Sequence, residues 1–416
     1  MLTFSKINFF RFLLFALMIT TYLPVLTNNL PPVIRSHHFW APIWAVSILL
    51  FVPIVYTQKS ILYFAAYGII IISLLFSFWS GISEWDKKGV LGELYEIGIA
   101  FSMLTYIKVS RDYRGFALVT FWTVLFVFIT SIMSIYSSFA DPLYARKMIS
   151  GVVEEIEEIR KFGGGGYGFA ASLVCIFPMV VYYYRNNKIL PLSKRIILLF
   201  GIFCLVALLR IQIFANIVLS FFVIIFALAG RRNIRQSFII AGFIFLIFII
   251  LPDSSYSGFL QYTSNYFDPG SEVYFKLNDL SSYIELEDEI GTATASRISR
   301  YPLLFEAFSI NPVAGSFNSR INLDISPGAH LYWMYKLTTF GILIFIPFVM
   351  LLYFYIKNNM KQFNQEFKFY FLLALVAGIS LGFMKAIGGR EFWYMFLFII
   401  PGMYYLPLLN NKGINA

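Results

Sequence analysis

Charge is what this sequence has least of. Asp, Glu, Lys and Arg together make up 13% of its 416 residues, against roughly 25% in soluble domains. With 59% hydrophobic residues and a mean hydropathy of +0.74, a water-soluble chain is excluded. Cysteine is nearly absent: the two present, Cys175 and Cys204, both lie in apolar runs, so neither a disulfide framework nor a thiolate metal site is indicated. Histidine is nearly as scarce, at three residues, and no His, Cys and carboxylate cluster with metal-ligand spacing falls among the candidate site residues. The net charge of +10 has no basic stripe with interleaved aromatics behind it, which argues against a nucleic-acid partner.

Long apolar runs fill the chain instead. Crossing a bilayer takes about 20 apolar residues, and runs near that length predict about a dozen spans. They fall at 9–26, 39–56, 61–79, 91–108, 115–136, 167–184, 196–209, 213–230, 236–251, 331–356, 369–386 and 392–409. The first follows a short basic start (Lys6, Arg11) with no small-residue cleavage site after it, and reads as a retained helix. The expected fold is all-α, a polytopic transmembrane bundle with spans 1 to 9 in residues 1–251, a large hydrophilic loop with short helices at 252–330, and spans 10 to 12 in 331–416.

Cations set the orientation. Lys59, the Lys108/Arg111/Arg114 cluster, the basic residues from Arg185 to Arg195, Arg231/Arg232/Arg235 and Lys357/Lys361/Lys368 all fall on one side when loops alternate. By the positive-inside rule that side is the cytoplasm, and both termini share it. The long polar segments at about 137–166 and 252–330 then face outward, and chemistry is expected there.

The first segment reads as a short acidic helix (Glu154, Glu155, Glu157, Glu158) ended by a flexible run, Gly163 to Gly166. Consecutive acids splay around a helix, so this is a solvated face more readily than a cation site. In the second segment, residues 296–309 have helical periodicity, with Arg297 and Arg300 on one side and Leu303, Leu304 and Phe308 available for burial. Such a helix suits the membrane surface, its arginines beside headgroups.

Several residues are candidates for chemistry. His330 follows the turn Pro327-Gly328-Ala329 at the mouth of a span; there it is either a general base for a hydroxyl or an interfacial capping residue. His37 and His38 read as interfacial. Arg210 lies between two apolar stretches, where it is either functional within the membrane or the mark of a turn at the interface. Lys336 and Lys385 pose the same question near the ends of their spans, and Arg390 follows Gly388-Gly389. With Arg320, these cations describe an electropositive outer cavity suited to a diphosphate, whose oxygens guanidinium forks bind in pairs.

Arg297, Tyr301, the turn Asn311-Pro312 with Gly315, then His330 opening a helix that contains Gly341, resemble in order and spacing the C-terminal signature of the O-antigen polymerase and O-antigen ligase superfamily. Arg210 is similar to that family's upstream arginine. Two positions depart from its pattern: Leu209 stands where Ser is common, and Leu331 where Asn is common. The resemblance implies a metal-independent, cofactor-free glycosyltransferase of the bacterial inner membrane, using an undecaprenyl-diphosphate-linked oligosaccharide at the periplasmic face. His330 would activate the acceptor, and Arg210, Arg297 and Arg300 would hold the diphosphate. Polymerase is the first expectation and ligase the second; a flippase for the same lipid-linked sugar is a third reading, from topology alone. Membrane lipids, and a chain-length regulator and flippase of the same pathway, are the implied partners.

Overall fold

The computed structural model describes residues 6–31, 68, 96–100, 103, 104, 107, 110–141, 144, 145, 147, 161–186, 192–211, 213–231, 253–267, 269, 272–285, 300–315, 331–384, 387 and 389–410. Among these the chain is helical, with no strand. The helices are α1 (Lys6–Tyr22), α2 (Pro24–Thr27), α3 (Tyr113–Ala140), α4 (Tyr167–Arg185), α5 (Lys194–Ile211), α6 (Phe214–Ala229), α7 (Asp253–Ser264), α8 (Glu272–Glu285), α9 (Arg300–Ile310), α10 (Tyr332–Met360), α11 (Gln365–Met384) and α12 (Arg390–Tyr394). A π turn (Met395–Ile399), α13 (Ile400–Met403) and a 3-10 turn (Leu406–Leu409) complete the chain's described part.

Four of these, α3, α4, α10 and α11, are long and apolar enough to cross a membrane. Helices α1 and α6 are apolar but shorter, and α5 carries Lys194, Arg195 and Arg210. The expected spans at 39–56 and 236–251 lie outside the described residues, as do 61–79 apart from Gly68 and most of 91–108. The span expected at 392–409 is interrupted by the π turn and by Pro401, so it is no single α-helix.

Helix α4 is the hub, packed by α5, α6, α11 and α12, and its residues Phe169 to Tyr183 are all buried. Lipid supplies no hydrophobic drive between helices, so close packing and hydrogen bonds must hold the bundle. Small residues allow the approach: a Cβ on Gly378 would sit 2.7 Å from Phe396, and one on Gly402 would sit 2.1 Å from Thr120. The inward face of α3 is a stripe of hydroxyls, Thr123, Ser131, Ser134 and Ser137, each donating to the carbonyl one turn earlier.

Buried tyrosines hold the irregular last segment. Tyr22 of α1 donates to the Glu391 carbonyl at 2.5 Å, Tyr355 of α10 donates to that of Leu397, and Tyr183 of α4 donates to that of Met403. A π turn loosens the regular ladder, and buried carbonyls beside it need donors. The Tyr355 bond reaches into the π turn itself.

Cross-helix contacts sort the helix ends into two sets. At one end Arg11 forks onto Asp112 with two bonds of 2.6 Å, Tyr113 stacks on Tyr405, Arg185 reaches the Tyr370 hydroxyl at 3.2 Å, and Asn186 donates to Glu366 at 2.9 Å. At the other end Thr130 donates to the Tyr22 carbonyl, Trp333 to that of Ile379, and Tyr301 to that of Phe383. The first end gathers Arg111, Arg114, Arg185, Lys194, Arg195, Arg231, Lys357, Lys361 and Lys368, with Asp112 and Glu366 beside them.

The glycine run differs from its expected role. Gly163, Gly164 and Gly165 are buried, and added Cβ atoms would meet Val25 at 2.4 Å, Ser137 at 2.7 Å and Phe169 at 2.2 Å respectively. The Gly165 amide donates to Ser134 and its carbonyl accepts from Tyr144. Glycine serves here for close approach, not for flexibility. The acidic residues Glu154 to Glu158 lie outside the described residues.

Candidate functional site

The candidate site lies at the less basic end, and its frame is the junction of α9 with α10. Helix α9 begins at Arg300 and buries Leu304 and Ala307 against α10, while Leu303 and Phe305 are exposed. The burial expected of Leu303 is thus taken by Ala307, because positions three and four apart share a face. Thr338 of α10 donates to the Leu304 carbonyl at 3.0 Å. Tyr301, 40% exposed, reaches across to the end of α11 through its bond to Phe383 at 2.6 Å.

The Asn311-Pro312-Val313-Ala314-Gly315 turn then inserts into α10. Gly341 leaves helical geometry (φ 61°, ψ 179°), dividing α10 in two. The second half begins with amides that have no partner in their own helix. Pro312 and Val313 supply them: Ile342 N–H donates to the Pro312 carbonyl at 2.9 Å and Leu343 N–H to that of Val313 at 3.1 Å. Gly315 (φ 76°) closes against Gly341 so tightly that a Cβ on Gly315 would lie 2.5 Å from the Gly341 nitrogen. Asn311 steadies the turn, its Oδ1 accepting from Ala314 N–H and its carbonyl from Gly315 N–H.

The first half of α10 therefore stands as a short separate helix whose mouth is the residue after His330. Leu331 caps it in left-handed backbone geometry (φ 75°, ψ 57°) and is buried, with no side-chain capping bond. Lys336 is 5% exposed on this half, its ammonium 5.3 Å from the Tyr332 ring centre and 5.1 Å from that of Phe340. Aromatic faces one turn to either side make a site where a charge is tolerated with little water. Trp333 fixes the same half to α11 through its bond to Ile379 at 2.8 Å.

Arg210 belongs to a different corner. It is half-buried in the last turn of α5, its guanidinium 4.4 Å from the Phe139 ring centre at the end of α3. Of the two readings open from sequence, the helix ends just beyond it, at Ile211, and α6 starts at Phe214. Arg390, also half-buried, is the first residue of α12, after Gly389 (φ 94°). Arg300 opens α9. The other expected site residues, Arg297, Arg320, His330 and Lys385, lie outside the described residues, as do His37 and His38.

One residue that the sequence reading passed over belongs with this end. Glu96 is 5% exposed, and Tyr394 of α12 donates to its carboxylate. Its signal was available: an ionisable residue inside an expected span at 91–108 is a functional candidate by default. Among the described residues no group of three or more His, Cys, Asp or Glu could hold a metal ion. Compared with known proteins, the chain matches no family model and no curated relative.

Proposed function

We propose that this chain is a glycosyltransferase of the bacterial inner membrane, most specifically an O-antigen polymerase. In this reading about a dozen helices span the bilayer, both termini are cytoplasmic, and the end carrying Arg210, Lys336 and Arg390 faces the periplasm. The observation that carries the proposal is the lock between Gly315 and Gly341. It joins the two halves of the signature, so the helix that follows Arg297 is held against the helix that follows His330.

The chemistry assigned to these residues is simple. The acceptor sugar hydroxyl gives its proton to the His330 imidazole as its oxygen attacks the anomeric carbon of the donor glycan. The bond from that carbon to the diphosphate oxygen breaks, and the electron pair leaves with undecaprenyl diphosphate. Arg297, Arg300 and Arg210 stabilise the charge on the leaving group, and Arg320, Lys336, Lys385 and Arg390 give further contacts to phosphate or glycan. Among the described cations Lys336 supports the reading best, its ammonium lying near the Tyr332 and Phe340 rings.

The test is the lipopolysaccharide ladder on a gel, from cells lacking the gene and complemented with the wild type. A polymerase leaves core carrying one repeat unit when the gene is lost, and the ladder returns on complementation. Bare core with lipid-linked polymer accumulating would make the chain a ligase instead. An unchanged ladder in the deletion strain would overturn the proposal.

A further inference from the structure

Helices α1 and α3 start together at the basic end and run in the same direction: Arg11 meets Asp112, Phe15 packs on Trp122, and Tyr22 accepts from Thr130. Between them opens a groove of about 260 Å³, walled by Phe12 and Phe15 of α1 and by Leu118 and Trp122 of α3. Positions 115, 118 and 122 share one face of α3, and Gly115 to Trp122 spans roughly 10 Å at 1.5 Å per residue. Phe12, Leu118 and Trp122 are exposed. The groove is charged only at its mouth. There Arg11 forks onto Asp112 through Nε and Nη2, both at 2.6 Å, and Asp112 accepts from the Gly115 N–H at 3.0 Å. Gly115 lets the fork lie this close, since a Cβ on it would sit 2.4 Å from the Arg11 Nε. The Arg11 side chain stays 39% exposed, against 9% for Asp112. Arg114, one turn before Leu118, is exposed, as is Arg111, so the mouth holds three arginines against one carboxylate.

We propose that this groove binds an anionic glycerophospholipid of the membrane, its phosphate at the mouth beside Arg11 and Arg114 and an acyl chain along Phe12, Phe15, Leu118 and Trp122. The order of polarity along the groove is that of a lipid in its own leaflet, cations at headgroup level and apolar walls deeper. Charge selects the headgroup: the positive excess left after Asp112 favours a net anion over a zwitterion. Geometry favours a resident lipid over a passing one. Asp112 holds the Arg11 guanidinium in place, which lowers the entropy lost when a phosphate binds. Phe15 meets Trp122 edge-on at 6.2 Å and Phe126 at 5.7 Å, so the apolar wall is braced from behind. The site requires α1 and α3 to lie in a bilayer and is independent of the transfer reaction.

The experiment is native mass spectrometry of the full-length protein in mild detergent, given dioleoyl phosphatidylglycerol, dioleoyl phosphatidylcholine or undecaprenyl phosphate. The wild type is expected to retain one phosphatidylglycerol about tenfold more strongly than phosphatidylcholine, and Arg114→Gln to cut that preference about fivefold. Leu118→Trp fills the groove and leaves every charge in place, and it is expected to lose the retained lipid. Equal retention of the two phospholipids by the wild type, or an unchanged preference in Arg114→Gln, would overturn the proposal. So would phosphatidylglycerol held by Leu118→Trp as firmly as by the wild type, or undecaprenyl phosphate held more firmly than phosphatidylglycerol. All four results would leave the transfer reaction standing. If Leu118→Trp fails to insert, Leu118→Phe carries the test: weaker retention supports the site and unchanged retention overturns it.

Discussion

Gly315 and Gly341 meet backbone to backbone, each so close that a Cβ on either would fall within 2.5 Å of the other's nitrogen. Both have positive φ. An l-residue with a side chain costs roughly 1–2 kcal/mol in that region before any clash. The contact is also with backbone, which cannot swing aside.

Gly315→Ala and Gly341→Ala are therefore each expected to destabilise the protein by more than about 2 kcal/mol, through strain and clash together. Thermal unfolding in detergent checks this, with Gly258→Ala as the control, since a Cβ there meets nothing within 4 Å. A midpoint unchanged in Gly315→Ala would mean that the turn does not seat in the break of α10.

Leu331 is the second strained position, left-handed at φ 75° where the resembled family commonly has Asn. Asn tolerates that geometry far better than a branched apolar residue and caps helices well. Leu331→Asn trades buried apolar area for relief of strain and a cap, so its net effect is expected within about 1 kcal/mol of zero. Leu331→Ala keeps the strain and loses the burial, and is expected to destabilise by about 2 kcal/mol or more. Equal unfolding midpoints for the two variants would contradict this account.

The tyrosine bonds to the last segment give a graded expectation. Tyr22→Phe, Tyr183→Phe and Tyr355→Phe each remove one hydrogen bond to a main-chain carbonyl, at about 0.6–1.5 kcal/mol apiece in a membrane bundle, and Tyr22→Phe is expected at the low end because the Glu391 carbonyl also accepts from the Met395 N–H. Tyr355→Phe is expected to be the largest, because its acceptor, Leu397, sits in the π turn. Equilibrium unfolding in mixed micelles measures the order.

Gly164 separates a packed glycine run from a flexible linker. A linker tolerates alanine, whereas here the added methyl would meet Ser137 at 2.7 Å and the Tyr144 ring at 2.8 Å. Gly164→Ala is expected to destabilise by about 1–3 kcal/mol. A neutral result by thermal unfolding would restore the linker reading.

The sequence carries the all-helical character and four long apolar helices of the bundle, but little of its joints. Spans such as α3, α4 and α10 are legible because about 20 apolar residues have few alternatives. The order of Asn311-Pro312, Gly315 and Gly341 is legible too. That the turn seats in a break of α10 is not, since a glycine inside an apolar run looks like any small packing residue until the backbone is seen. The run Gly163 to Gly166 misleads for the same reason: composition reports freedom, and only neighbours such as Val25 and Ser137 reveal crowding. The irregular end of the bundle is hidden because a π turn leaves no mark in an apolar pattern. Leu303 against Ala307 is a smaller miss of phase, where size outranked position in the reading of α9.

The central claim is glycan transfer from a lipid diphosphate with His330 as base. Purified protein in liposomes, given an undecaprenyl-diphosphate-linked repeat unit, tests it most directly by the length of the lipid-linked glycan over time. The account predicts longer glycans and released undecaprenyl diphosphate with the wild type, and a loss of about a hundredfold or more in rate with correctly inserted His330→Ala. Full activity in His330→Ala, or no elongation by the wild type, would contradict it.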